Sequence, residues 1–219
     1  MSEFAIYLHG FASSVHSSKA TYLGERLRAR GVDVRVPDLN LPDFSTLTVT
    51  RLLERTREVM DDSRTPVTLI GSSLGGYVAV NAAAKWPDRI ARLVLMAPAL
   101  DFREQGLSAP GGATLEDWAH DGRVMVFHFG YGRVLPIDYG LYQDALRYDA
   151  MTANVIAPVL IFQGRRDTVV SPWVVERWAA ARPGVELHML DDDHQLAASL
   201  PHMGDRIEAF LGLTGNDRY

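Results

Sequence analysis

Short apolar segments alternate along this chain with longer segments of helical periodicity, and this alternation constrains the fold more than any other feature. Strands separated by helices of about ten or more residues predict βαβ units, with parallel strands in a sheet that is covered on both faces. Right-handed crossovers then give a doubly wound α/β architecture with about six mostly parallel strands. The predicted strands are 4–8, 32–36, 66–70, 92–97, 158–162 and 185–190, and the predicted helices are 18–30, 46–61, 74–86, 172–181 and 200–211.

Residues 98–156 interrupt this rhythm with many glycines and aromatic residues. A strand at 123–129, a turn at 130–132 and a helix at 139–147 predict a small hairpin followed by a helix. Because the segment is too short and too rich in loops to hold its own core, we expect one domain over residues 1–219 with a cap-like insertion. Its aromatic side chains either pack the insertion onto the sheet or line a pocket; they are Trp118, Phe127, Phe129, Tyr131, Tyr139 and Tyr142.

Composition excludes several classes of function. The net charge of −5 gives no general attraction to nucleic acid or to anionic membranes. The absence of cysteine rules out disulfides, cysteine-based zinc sites and thiol catalysis. The sequence contains no apolar stretch of about 20 residues, and the run at 4–8 is too short for a secretion signal. We therefore expect a cytoplasmic protein. Exposed aromatic residues in 118–148 would fit either a lid or a dimer surface, so a monomer and a homodimer both remain open.

The segment Gly71-Ser72-Ser73-Leu74-Gly75 fits the pattern G-x-S-x-G, directly after one predicted strand and directly before an alanine-rich helix. An abrupt turn from strand to helix strains the central residue and lifts its side chain clear of the sheet. Gly71 and Gly75 would leave room for neighbouring backbone, and the helix N-terminus would point its free N–H groups at the site. The chain lacks G-x-G-x-x-G and Gly-Lys-Ser/Thr, which disfavours a phosphate-binding loop. The motif therefore predicts Ser73 as a nucleophile.

A serine nucleophile needs a base, and the base needs an acid to orient it. His194 lies in the loop after the strand at 185–190, and Asp167 lies in the loop after the strand at 158–162. Sites on open parallel sheets form at the carboxyl ends of the strands, so both side chains would reach the edge that carries Ser73. The chain order Ser73, Asp167, His194 is the order expected for this architecture. The alternatives are a solvated loop histidine and a solvated or helix-capping aspartate.

An acyl-transfer site also needs donors for the oxyanion of the tetrahedral intermediate. The backbone N–H of Leu74 is one candidate because it follows the nucleophile. The second candidate is the N–H of Phe11, in the loop after the first strand, where Gly10 permits a tight turn. For His9 in the same loop we favour a structural role beneath the loop over a role as base.

Two segments of the chain resemble the α/β-hydrolase superfamily and, more narrowly, small bacterial esterases of the YqiA type. They are Tyr7-Leu8-His9-Gly10-Phe11…Ser13-Ser14…Ser18-Lys19-Ala20 and the segment from Gly71 to Tyr77. The resemblance implies hydrolysis of short acyl esters or thioesters without a cofactor. By analogy it assigns nucleophile, acid and base to Ser73, Asp167 and His194, and the oxyanion donors to the amides of Phe11 and Leu74. Two features depart from that group. Residues 163–166 read Gln-Gly-Arg-Arg where many relatives have His-Gly before the acid, and we expect this difference to leave catalysis unaffected. The insertion at 98–156 is also longer than in that group, which leaves the form of the substrate pocket open.

These patterns predict a serine carboxylesterase that acts on a small-molecule ester through an acyl-enzyme. A thioesterase of the same mechanism is the second hypothesis. The third is a non-catalytic binding protein with the same fold, because a fold alone does not fix function.

Overall fold

Six parallel strands form the central sheet of the computed structural model, which describes residues 3–105 and 114–213. In chain order the strands are β1 (Phe4–Leu8), β2 (Asp33–Arg35), β3 (Val67–Ser72), β4 (Ile90–Met96), β7 (Val159–Gly164) and β8 (Val185–Leu190); β5 and β6 belong to the insertion described below. The order of the six strands across the sheet is β2-β1-β3-β4-β7-β8, which confirms the predicted doubly wound α/β architecture.

Two hydrophobic cores lie on opposite faces of this sheet. Alternate residues of β1 show the division: Ile6 and Leu8 belong to one core, while Ala5 and Tyr7 belong to the other. Successive side chains of a strand point to opposite faces, so a fully buried sheet reads as a continuous apolar run. The first core is covered by α2 (Val49–Met60), α3 (Leu74–Lys85) and α7 (Pro172–Ala180), and the second by α1 (Ser18–Ala29) and α8 (Leu200–Phe210).

The helix boundaries follow local capping chemistry. Helix α2 begins at Val49, three residues after the start predicted from periodicity, because the Thr48 side chain accepts a hydrogen bond from the N–H of Arg51. A separate 3₁₀ turn, Phe44–Thr46, precedes it, and a second one, Pro87–Arg89, follows α3. Gly31 stops α1 with a φ of 82°, a left-handed conformation that glycine adopts without strain.

Between β4 and β7 the chain leaves the sheet and forms the insertion. The described part contains α4 (Phe102–Gln105), α5 (Leu115–Asp121), β5 (Arg123–His128), β6 (Arg133–Asp138) and α6 (Gly140–Ala145); residues 106–113 lie outside the described residues. Strands β5 and β6 pair antiparallel as the predicted hairpin. Val124 and Val126 on its inner face are buried, whereas Met125 and Phe127 on its outer face are about half exposed.

The tip of this hairpin lies on the loop that follows β1. The N–H of Gly130 donates to the carbonyl oxygen of Ala12 at 3.2 Å. A Cβ at Gly130 would lie 2.6 Å from Cβ of Ser14, so only glycine permits this approach. The insertion therefore contacts the same edge of the sheet at which the carboxyl ends of the parallel strands meet. No helix within residues 3–105 and 114–213 has the length and apolar character needed to cross a bilayer.

Candidate active site

Ser73 stands alone between the end of β3 and the start of α3, in a strained backbone conformation. Its φ is 53° and its ψ is −117°, values that non-glycine residues rarely adopt. The flanking glycines allow the turn: a Cβ on Gly71 would lie 2.5 Å from the carbonyl oxygen of Gly75, and a Cβ on Gly75 would lie 2.0 Å from that of Leu8. The strain thus has local support, and it holds the hydroxyl above the end of the sheet.

The loop after β1 lies directly beside this serine. A Cβ on Gly10 would lie 3.3 Å from Cβ of Ser73 and 3.9 Å from its Oγ. Among the described residues, neither the N–H of Phe11 nor the N–H of Leu74 has a hydrogen-bond acceptor. Ala12, the next residue of the loop, has a φ of 52°, so this turn too is strained. Leu74 directly follows the serine in sequence, and Phe11 directly follows Gly10, whose backbone lies beside the serine in space.

His9 supports this loop from below. Its Nδ1–H donates to the carbonyl oxygen of Gly10 at 3.0 Å, and its Nε2 accepts a hydrogen bond from the N–H of Leu39 at 3.1 Å. Both ring nitrogens of this buried histidine are therefore engaged with backbone, in the neutral tautomer. The geometry agrees with a structural role for His9 and leaves it no free nitrogen to serve as a base.

Asp167 follows β7 and has a side chain fully shielded from solvent. Its Oδ1 accepts the N–H groups of Val169 and Val170, both at 2.8 Å. Its Oδ2 accepts Nδ1–H of His194 at 2.9 Å. Burial acts to raise the pKa of this carboxyl, but the hydrogen bonds from His194 and from the two amides outweigh it and leave the pKa below its ordinary value. Asp167 is therefore an anion that faces the imidazole.

His194 connects the acid to the serine. It lies in the loop after β8, its side chain is mostly buried, and its Nε2 is 3.2 Å from Oγ of Ser73. With Nδ1–H donated to Asp167, Nε2 is left free to accept the proton of the serine hydroxyl. The structure thus brings together the three side chains that the sequence placed at three separate strand ends. This arrangement can activate an oxygen nucleophile without a metal or an organic cofactor.

The loops that carry the acid and the histidine lie against each other. The N–H of Arg165 donates to the carbonyl oxygen of Leu190 at 2.8 Å, and the N–H of Arg166 donates to that of Asp192 at 3.0 Å. A Cβ on Gly164 would lie 2.5 Å from the carbonyl oxygen of Asp192. Because Gly164 has no Cβ, the loop after β7 and the loop after β8 can lie this close together. Their separation in turn determines the distance between Asp167 and His194.

Two further side chains, Lys19 and Gln163, hold these loops in place, and sequence patterns alone do not predict either contact. Nζ of Lys19 donates to the carbonyl oxygen of Gln195 at 2.7 Å, across 176 residues. Gln163 is fully buried, and its Nε2 donates to Oδ2 of Asp167 at 2.9 Å. The resemblance predicts that glutamine at this position leaves catalysis unaffected; the structure places its amide in direct contact with the acid.

The insertion also contributes to a cavity, and neither Ser73, Asp167 nor His194 lines it. A cavity of about 450 Å³ lies between residues 40–45 and the Tyr131–Pro136 segment. Phe44 lines this cavity and also packs on Phe11, with 5.3 Å between ring centroids. Of the aromatic residues in the insertion, Trp118 is buried in the core, Tyr131 lines the cavity, and Phe129 is 78% exposed. Trp118 therefore packs the insertion onto the core, whereas Tyr131 borders the cavity.

The described residues contain no group of three or more His, Asp or Glu side chains placed to hold a metal ion. The candidate site is thus built from a hydroxyl, an imidazole, a carboxylate and backbone amides.

Comparison with known proteins gives a family and a fold. The model of an uncharacterised protein family, UPF0227, matches residues 4–212. No curated protein is similar enough in sequence to match. Among solved structures, Est1E from Butyrivibrio proteoclasticus with bound ferulic acid superposes with a TM-score of 0.85 at 20% identity, covering 95% of this chain and 88% of its own.

Two further solved structures show the same architecture. The alpha/beta hydrolase domain-containing protein 10 from mouse has a TM-score of 0.78 at 22% identity, covering 97% of this chain and 90% of its own. The esterase domain of a Rhodothermus marinus protein has a TM-score of 0.72 at 20% identity, covering 95% of this chain and 85% of its own. At these identities the likeness establishes the fold.

Proposed function

Since this chain belongs to the uncharacterised family UPF0227 and has the α/β-hydrolase fold, we propose that it is a serine hydrolase that cleaves small acyl esters. The observation that carries the proposal is the pair of contacts made by His194, 3.2 Å to Oγ of Ser73 and 2.9 Å to Oδ2 of Asp167. A fold can be shared by proteins of many functions, so the proposal depends on this site rather than on the architecture.

The first half of the reaction forms an acyl-enzyme. Oγ of Ser73 attacks the carbonyl carbon of the ester while Nε2 of His194 takes the hydroxyl proton. Asp167 stabilises the imidazolium cation through its hydrogen bond to Nδ1. The oxyanion of the tetrahedral intermediate accepts hydrogen bonds from the amides of Phe11 and Leu74. As the intermediate collapses, His194 passes its proton to the leaving alcohol and Ser73 keeps the acyl group.

The second half repeats the same steps with water as the nucleophile. Nε2 of His194 takes a proton from water, the hydroxide adds to the acyl carbon, and the proton returns to Oγ of Ser73 as the carboxylic acid leaves. The side chains needed for both halves are the same, so the site requires no external redox or metal partner for this chemistry.

An esterase assignment has support from two of the structural neighbours. One is described as an esterase domain, and another was solved with ferulic acid bound. Both have a fold that superposes over at least 95% of this chain. We extend the ester substrate class to this chain on the geometry of its own site, since the low identities support the fold alone.

Covalent labelling tests the proposal directly. Purified protein should react with a fluorophosphonate probe at one residue, Ser73, and Ser73→Ala should remain unlabelled while unfolding at a similar temperature. Hydrolysis of p-nitrophenyl acetate by the wild type should show a burst equal to the concentration of labelled sites, and Ser73→Ala should lose roughly 10⁴-fold or more in kcat. A folded wild-type protein that neither labels nor hydrolyses any p-nitrophenyl ester from acetate to octanoate would favour a binding protein instead.

A further inference from the structure

Gln163 is a polar residue in a fully buried strand, where apolar side chains are typical. It is the penultimate residue of β7, a strand whose residues are all buried, and its own side chain has no exposed surface. Three oxygen atoms lie within 3.5 Å of its Nε2: Oδ2 of Asp167 at 2.9 Å, the carbonyl of Gly164 at 3.3 Å and that of Val170 at 3.5 Å. These acceptors fix which end of the amide is the nitrogen.

The other end of the same amide is unsatisfied. Oε1 of Gln163 is buried and has no hydrogen-bond donor among the described residues. A buried acceptor without a partner destabilises the folded state, so an apolar side chain of similar length would serve the core better. Stability therefore does not explain glutamine at this position, whereas the hydrogen bond from its Nε2 to Asp167 does.

That contact completes the fixation of the carboxylate. Oδ1 of Asp167 is held by the amides of Val169 and Val170, and Oδ2 is shared by Gln163 and His194. Without the amide of Gln163, only the imidazole of His194 would hold Oδ2. With it, Oδ2 stays aimed at Nδ1 even when the imidazole moves during proton transfer.

We propose that Gln163 is a positioning residue that orients the carboxylate of Asp167 toward His194. The inference rests on the proposed function, since it assigns a residue to the same reaction. Gln163 touches neither substrate nor reacting atoms, so its effect passes entirely through Asp167. The proposal predicts that removal of the amide lowers kcat without a loss of stability.

Gln163→Met provides the main test because methionine keeps the length of the side chain and lacks both the donor and the orphan acceptor. We expect kcat for p-nitrophenyl acetate to fall about 10- to 100-fold, the range for a hydrogen bond to a charged group, with KM nearly unchanged. We expect the melting temperature to stay the same or rise. The matched control is Thr56→Val, which removes a buried hydrogen bond to the carbonyl of Leu52 inside α2; it should lower the melting temperature and leave kcat unchanged.

Gln163→Glu adds a pH readout that a purely structural role would not give. The introduced carboxyl would face Asp167 and, beyond it, His194, the two titratable groups joined to this position by hydrogen bonds. When protonated it can donate to Oδ2 as the amide does, and when ionised it repels that oxygen. The ratio of this variant's kcat to the wild-type kcat at the same pH should therefore fall as pH rises, whereas the same ratio for Gln163→Met should not change with pH.

The outcomes separate this inference from the proposed function. If wild type labels and hydrolyses while Gln163→Met keeps its full kcat, the positioning role is wrong and the hydrolase proposal stands. A loss of kcat in Gln163→Met that matches a loss of melting temperature would likewise overturn the positioning role in favour of general packing. If wild type fails to label at Ser73, the proposed function itself fails.

Discussion

Gly164→Ala should separate the acid from the histidine without touching either side chain. The new Cβ would lie 2.5 Å from the carbonyl oxygen of Asp192 and 2.6 Å from that of Asp193. Carbon and carbonyl oxygen approach to about 3.3 Å at closest, so the loop that carries His194 must retreat by about 0.8 Å. Gly164 has no left-handed φ, so alanine fits its backbone conformation and the clash is the only obstacle.

That retreat exceeds what the triad can absorb. The bond from Nδ1 of His194 to Oδ2 of Asp167 is 2.9 Å long, and a displacement of this size would stretch it to about 3.7 Å, beyond hydrogen-bond reach. Misplacement of a catalytic group by about 1 Å can lower the rate about 100-fold. We therefore expect kcat for p-nitrophenyl acetate to fall by about that factor, together with a loss of about 1–3 kcal/mol in the free energy of unfolding from overpacking.

The measurement compares steady-state hydrolysis with urea unfolding at a temperature where each variant is folded. Gly140→Ala is the matched control, because a Cβ there would have no neighbour within 4 Å. It should keep the wild-type kcat and gain up to about 1 kcal/mol in stability from the lower entropy of its unfolded chain. A folded Gly164→Ala with kcat within about twofold of wild type would refute the reasoning that backbone contact sets the distance between acid and histidine.

Three other substitutions probe the supports around the site. Lys19→Met removes the bond to the carbonyl of Gln195 and should lower kcat about tenfold by freeing the histidine loop, with Lys19→Arg keeping more activity; equal kcat in all three proteins would contradict this. Gly130→Ala, whose Cβ would lie 2.6 Å from Cβ of Ser14, should push the hairpin off the loop that carries the oxyanion amide and lower kcat/KM severalfold at unchanged labelling stoichiometry. Asp192→Asn tests a pH dependence. Burial acts to raise the pKa of Asp192, but the hydrogen bonds that its carboxylate accepts from the Ser199 side chain and from backbone amides leave this pKa below the ordinary value of 3.8. The carboxylate therefore stabilises the folded state above pH 3.8, and this stabilisation is lost as the pH falls below that value. The variant should be about 1–2 kcal/mol less stable than wild type in urea at pH 7, and this difference should shrink as pH falls below 3.8. A difference independent of pH would contradict the assignment.

The sequence predicted the sheet and the three triad side chains because each depends on a local pattern. Apolar runs of strand length predict the six strands. Ser73 is predicted because the G-x-S-x-G motif lies directly between a strand and a helix. Asp167 could be preferred over the aspartates next to His194 by position alone. The structure gives those neighbours other partners: Asp191 pairs with Arg166, and Asp192 accepts hydrogen bonds from Ser199.

The supports of the triad could not be predicted in the same way, because each joins segments far apart along the chain. Lys19 and Gln195 are separated by 176 residues, and nothing in either segment indicates the other. Gln163 did leave a trace, as a polar residue at the end of the apolar run PVLIF. A polar side chain there is equally typical of a strand that emerges into solvent. Only burial and the direction of its amide distinguish the two cases.

Asp167 and His194 on one side, and the insertion on the other, contact different parts of the sheet edge. Asp167 and His194 come from β7 and β8, whose loops bond to each other through Arg165 and Arg166. The hairpin of the insertion instead contacts the loop after β1, through Gly130 and Ala12, beside the Phe11 amide. Changes in the hairpin should therefore disturb the loop that carries Phe11 while Asp167 and His194 keep their geometry. If the proposed function holds, such changes should alter kcat/KM more than they alter labelling of Ser73.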